Sequence, residues 1–153
     1  MKIQQRMILG VVAAVVLLGG GLFFMSQHRG TAEQGSASQT QNPALAQRYI
    51  PYSSGTLAKA EQSRGRTVIF FAALAWCSDC QAADKDLKAH FEKVPKDVTI
   101  VLANYDTETA LKQKYAITHQ DTFVQVDAHG NPLTQWTSGG QGAQALLDNI
   151  QQS

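Results

Sequence analysis

Cysteine is nearly absent from the 153 residues: there are two, Cys77 and Cys80. So few cysteines cannot build the disulfide framework that staples small secreted domains. A structural zinc site needs four ligands, and the chain has neither a second cysteine pair nor a closely spaced histidine pair. Proline is also scarce, with four in all and none between Pro95 and Pro132. An excess of charge is missing: residues 31–153 carry 10 Lys and Arg against 12 Asp and Glu. With no basic patch, nucleic acid is not an expected partner. There is no internal repeat and no phosphate-binding glycine loop, and no flavin or nicotinamide site is evident.

What is present centres on Trp76-Cys77-Ser78-Asp79-Cys80. An apolar run, Thr67 to Leu74, leads in, and a helical pattern through Ala82, Ala83, Leu87, Phe91 and Val94 leads out. A Cys-X-X-Cys at a strand-to-helix junction reads as a redox dithiol. Unpaired N–H groups at a helix N-terminus favour a thiolate on the first cysteine. That thiolate attacks a disulfide, and the second cysteine resolves the mixed disulfide.

The N-terminus reads as an address. Met7 to Met25 is an uncharged run of 19 residues, close to the ~20 apolar residues that cross a bilayer as a helix. Lys2 and Arg6 precede it, and only Arg29 follows closely. The positive-inside bias keeps the N-terminus in the cytoplasm and sends the rest across. Residues 1–25 are therefore expected to be an uncleaved single-pass anchor in the cytoplasmic (inner) membrane, with the remainder extracytoplasmic. The rival is a cleaved signal peptide, with Gly35-Ser36-Ala37 as the best small-residue pattern. No cysteine follows the run directly, which excludes a lipoprotein anchor. Residues 26–42 are polar and small and read as a flexible tether, including His28, and a coil of that length spans roughly 20–25 Å.

Residues 43–153 read as one α/β domain. A short helix opens at Pro43, and Ile50-Pro51-Tyr52 is extended. Ser53 or Ser54 caps a helix that Gly65 ends. Thr67–Leu74 is a strand buried on both faces. A helix from about Cys80 to Val94 follows, stopped by Pro95. Val98–Leu102 is a second strand, and Thr107 caps a helix from Glu108 to Tyr115. Thr122–Val126 and Leu133–Thr137 form a hairpin with His129 at its tip. Gln141 to Gln152 is an amphipathic helix. Tyr49, Tyr52 and His90 read as packing residues.

This order of elements resembles the thioredoxin family over about residues 55–152. Three pieces carry the likeness: FFAALAWCSDC, Tyr115-Ala116-Ile117 ahead of Thr122-Phe123-Val124, and the hairpin with Gly130 at its turn. It is most similar to membrane-bound extracytoplasmic members. The resemblance implies a central mixed sheet flanked by helices, Cys77 as the exposed nucleophile and Cys80 as the buried resolving thiol. It puts Trp76, Asp121 and Thr122 at the substrate-binding edge. Activity as a thiol–disulfide oxidoreductase is implied, with client proteins and an upstream thiol donor as partners and no cofactor beyond the Cys77–Cys80 disulfide.

Three departures from the family pattern stand out. Asp121 falls where the family has a cis-proline, and a trans bond with an altered loop is expected, because a non-proline cis bond costs ~2.5–4 kcal/mol. Phe71 replaces the buried acid beneath the dithiol. Lys85 or a neighbour replaces a helix-kinking proline. Asp79 and Asp121 are the carboxylates expected to bear on the titration of the cysteines, and they argue for a reductase or mild exchanger. A second reading takes Cys77, Cys80 and His119, with or without Asp121, as a copper or zinc site of a metal carrier or cofactor-insertion accessory. A third is an adaptor whose dithiol is vestigial.

Overall fold

The computed structural model describes residues 42–152. The apolar run and the tether, apart from Asn42, lie outside them. Among the described residues no helix is long and apolar enough to cross a membrane.

The first helix, α1 (Pro43–Arg48), has proline in its first turn, and the Asn42 side chain caps it by accepting from the Ala44 N–H. The expected extended segment is a strand, β1 (Tyr49–Pro51), which lies parallel to β3 (Val98–Asn104) at one edge of the sheet. An edge is where a strand tolerates proline. Ser53 caps α2 (Ser54–Glu61) in a reciprocal capping box with Thr56. This helix ends at Gln62 rather than at Gly65. Gly65 serves a different purpose, since a Cβ there would overlap the Asp97 carbonyl. The close approach lets the Arg66 N–H donate to that carbonyl at 2.8 Å. The Arg66 guanidinium grips the Asp97 carboxylate at 2.7 and 2.9 Å.

The central strand, β2 (Arg66–Ala72), is buried at every position. It pairs parallel with β3 and antiparallel with β4 (Thr122–Val126), which pairs antiparallel with β5 (Pro132–Thr137). The result is a mixed five-stranded sheet in the order β1-β3-β2-β4-β5. Alternation along β2 divides the core in two. Val68, Phe70 and Ala72 join Leu87, Phe91 and Leu146 on one side, while Ile69 and Phe71 join Leu57, Leu111 and Tyr115 on the other. Phe70, Phe123 and Trp136 stack across three strands, with centroids 4.1 and 5.6 Å apart.

Three further helices also change their expected limits. The helix after the dithiol, α3, runs Ser78–Ala89, and Phe91–Lys93 is a separate 3-10 turn. His90 breaks the helix at φ −124°, well before Pro95. The break allows both Phe91 and Val94 to reach the core, and both are buried. His90 itself is half-exposed, 3.7 Å from the Asp86 and Glu92 carboxylates. The next helix, α4, is Thr109–Lys114 with Glu108 at its N-cap and no side-chain cap bond. Thr107 does not cap it, because its hydroxyl turns to Glu108 Oε1 at 3.1 Å. The last, α5, is Gly142–Asn149. Its start is capped from α3, where Asp86 Oδ2 accepts from the Ala143 N–H at 2.8 Å. Beyond α5 the buried Gln125 side chain clamps the backbone of Gln151 at 2.7 and 3.0 Å.

Candidate active site

Ala73 ends the central strand and starts a turn. Its carbonyl accepts from the N–H groups of both Trp76 and Cys77, at 3.2 and 2.9 Å. The turn ends β2 two residues before the expected Leu74 and aims the chain at α3. Cys77 is the N-cap of α3, in an extended conformation. Its Sγ accepts from the Cys80 N–H at 3.0 Å. Helix N-termini leave backbone donors unpaired, so negative charge on Cys77 Sγ finds a donor already in place. Cys77 and Cys80 form a disulfide, with Cα atoms 5.2 Å apart. Cys77, expected to be exposed, is instead buried with 6% of its surface in solvent, because the turn from Ala73 seats it against the core, and Cys80 has none in solvent.

Trp76 is 57% exposed, far more than the other tryptophan. Its indole N–H donates to the Asp106 carboxylate, at 3.1 Å to Oδ2 and 3.3 Å to Oδ1. Asp106 is held in turn by its own N–H, bonded to Asn104 Oδ1 at 2.9 Å. Nothing in the sequence pattern singled out Asp106, because the partnership joins residues 30 positions apart.

Asp121 stands at φ +59°, and no cis peptide bond occurs among the described residues. It is buried, and its carboxylate is occupied by its own neighbourhood. Ser138 Oγ donates to it at 2.5 Å and the Gly139 N–H at 2.8 Å. Ser138 Oγ also accepts from the Gly140 N–H at 3.0 Å. The loop so braced lies on α3: a Cβ at Gly140 would sit 3.3 Å from that of Ala82. At Gly142 a Cβ would overlap the Ala83 carbonyl. Asp121 thus ties the loop before β4 to the loop after β5, which rests on the helix carrying Cys80. Neither of its carboxylate oxygens bonds a cysteine.

Thr122 is buried, and its hydroxyl donates to the His119 carbonyl at 2.8 Å. Asp79 is exposed in the first turn of α3. Phe71, at the place of the family's acid, packs edge-on against Tyr115 in the second core. Lys85 lies within the continuous helical run of α3. His119 is exposed, with Nδ1 2.8 Å from Thr118 Oγ1. Among the described residues no three His, Cys, Asp or Glu side chains converge on a point that could hold a metal ion. The structure therefore brings Trp76, Cys77, Cys80 and Asp106 together, and does not bring His119 into a ligand set with the cysteines.

The chain matches no protein-family model and no curated protein. Solved structures do match it. Trxlp from Edwardsiella tarda is 24% identical with a TM-score of 0.56, covering 65% of this chain and 95% of its own. Thioredoxin NaTrxh from Nicotiana alata is 21% identical with a TM-score of 0.54, covering 68% and 94%. Oxidized mitochondrial thioredoxin 3 from Saccharomyces cerevisiae is 20% identical with a TM-score of 0.53, covering 69% and 94%. At such identities the likeness speaks for the fold: the chain has a thioredoxin-like fold, with a cysteine pair at the N-terminus of its α3 helix.

Proposed function

We propose that the protein is a membrane-tethered, extracytoplasmic thiol–disulfide oxidoreductase that reduces or exchanges disulfides in client proteins. The observation that carries this reading is the asymmetry of the pair. Cys77 lies at the helix cap with 6% of its surface in solvent and an N–H donor on its Sγ, while Cys80 has no surface in solvent. In the reduced protein the Cys77 thiolate attacks one sulfur of a client disulfide. The client's other sulfur leaves as a thiolate and takes a proton. Cys80, as its thiolate, then attacks Cys77 Sγ, which releases the second client thiol and leaves Cys77–Cys80 oxidised. Two electrons pass to the client, and a second thiol protein on the same side of the membrane must restore the dithiol.

The direction follows from charge. Strong oxidants of this chemistry owe their power to a stabilised reduced form, and the Asp79 carboxylate between the two cysteines disfavours a second negative charge on Cys77. The protein therefore works as a reductant or mild exchanger. The membrane tether rests on the apolar run Met7–Met25 and its flanking Lys2 and Arg6.

A redox titration of Cys77–Cys80 in the full chain tests the reading, alongside turnover of insulin disulfides. A midpoint near or below about −230 mV with insulin reduction supports it. A midpoint near about −120 mV, or a Cys77 pKa below about 5, reverses the direction. Failure of insulin reduction together with failure to form any mixed disulfide removes the enzymatic reading.

A further inference from the structure

A pocket of about 260 Å³ is lined by Ala72, Leu74, Ala75, Leu102, Asn104 and Asp106, and Ala75 is two residues from Cys77 in the chain. Its apolar part lies at the C-terminal ends of the parallel strands β2 and β3, of which β2 runs on into the cysteine turn, and its polar end is Asp106. The indole of Trp76 supplies one proton to that carboxylate, which has about four lone-pair sites. Among the described residues the ion pairs are Arg66–Asp97, Lys88–Asp84, and His90 with Asp86 and Glu92. Asp106 is in none of them. Lys112, the cation nearest to it along the chain, sits over the Tyr105 ring at 4.2 Å. The pocket thus pairs an apolar floor with an unneutralised carboxylate.

We propose that this pocket receives a Lys or Arg side chain of the client, close to the client's reactive cysteine. Such a side chain has the required two-part chemistry, an aliphatic stem and a charged head. The stem lies on Ala72, Leu74, Ala75 and Leu102, and the head meets Asp106. The volume is below the ~300 Å³ where pockets for drug-sized ligands begin, and it suits one side chain. Ala75 precedes Cys77 by two residues, which an extended chain spans in about 7 Å. The client's cation therefore falls one to three residues from its cysteine. This inference rests on the reading of Cys77 and Cys80 as a dithiol that meets client disulfides, and the binding test below is independent of turnover.

The experiment uses the oxidised full chain in non-ionic detergent and fluorescein-labelled peptides carrying S-methylcysteine, which cannot exchange. Three peptides differ only beside that residue, with Lys, norleucine or Glu. Fluorescence anisotropy is expected to give about twofold to fivefold tighter binding for Lys than for norleucine, the upper part of the range of an exposed ion pair, and weaker binding for Glu. The Lys preference should vanish in Asp106→Asn, which keeps an oxygen for the Trp76 indole. In the wild-type protein it should shrink at high salt while norleucine binding holds, so the test survives if the variant fails to fold. Equal binding of Lys and norleucine, a preference that persists in Asp106→Asn, or no binding of any peptide overturns the proposal. The matching disulfide peptides separate the two readings. Lys-selective binding without reduction sinks the oxidoreductase reading alone, and reduction without selectivity sinks the pocket alone.

Discussion

At φ +59°, Asp121 sits in the left-handed region that L-residues other than Gly, Asn and Asp rarely adopt. Its two carboxylate bonds to Ser138 and Gly139 hold it there. Asp121→Ala should therefore lose about 2–4 kcal/mol of stability, combining about 1–2 for the conformation with the loss of hydrogen bonds to a charged group. Asp121→Asn, which keeps one acceptor and tolerates the conformation, should lose about half as much. Asp121→Pro should be the worst of the three, because proline holds φ near −65°. Urea midpoints for the three variants check the order, and a stable Asp121→Pro would refute the bracing role. At this scale the sequence was partly legible. That Asp121 would make an altered loop could be read from the missing proline, but its partners could not, because Ser138 lies 17 positions away. The same holds for the dithiol itself. Its residues and their turn were plain from spacing, whereas the exposure of Trp76 and its bond to Asp106 needed the fold. For the pair, Cys77→Ser should abolish insulin turnover, while Cys80→Ser should retain attack and accumulate a client mixed disulfide, visible as a mass shift on non-reducing gels.

Between helices, the contact of α3 with α5 leaves no room for added volume. Gly142 faces the Ala83 carbonyl and the Leu87 side chain with no room for a Cβ, and the carbonyl is backbone and cannot swing away. Gly142→Ala should cost about 1–3 kcal/mol, the usual range for overpacking, and denaturant unfolding measures it. Elsewhere, Arg66 beside Asp97 holds the Asp97 carboxyl below its ordinary range. A depressed folded pKa means that the pair adds stability above about pH 4, the unfolded value, and that this is lost as pH falls through the lower folded value. Asp97 is 52% exposed, so the contribution stays under about 1 kcal/mol. Asp97→Asn should thus be less stable than wild type at pH 7, and the difference should shrink as pH falls below about 4, by urea midpoints across that range. Most elements could be read from periodicity and end residues: Pro43 in a first turn and Ser53 as a cap mark helix starts, while the Asn42 cap became visible only in the structure. Helix ends were harder. Thr107 resembled a cap, yet Glu108 took that place, because the chain leaving Asn104 turns early to bond Asp106 and Glu108 to it. His90 ends α3 because the core needs Phe91 and Val94 together, a demand made by the sheet and not by the helix's own residues.

For the whole molecule, the proposed topology predicts that the full chain stays in the membrane pellet after alkaline carbonate extraction. Protease added to the extracytoplasmic side should reach the tether around residues 26–42, and release of the chain into the carbonate supernatant would refute the anchor. The sequence by itself determined the dithiol, the α/β class and the order of elements. Those depend on hydrophobic period and on residues adjacent in the chain, where local stereochemistry decides. Only the tertiary structure decided that β1 joins the sheet's edge, that Cys77 keeps a small part of its surface in solvent while Cys80 keeps none, and that Asp106, Asp121 and Ser138 support the site. Each of these depends on groups distant in sequence and brought together by burial of the sheet's two faces. Side-chain spacing along a chain carries no record of such meetings until the core is packed.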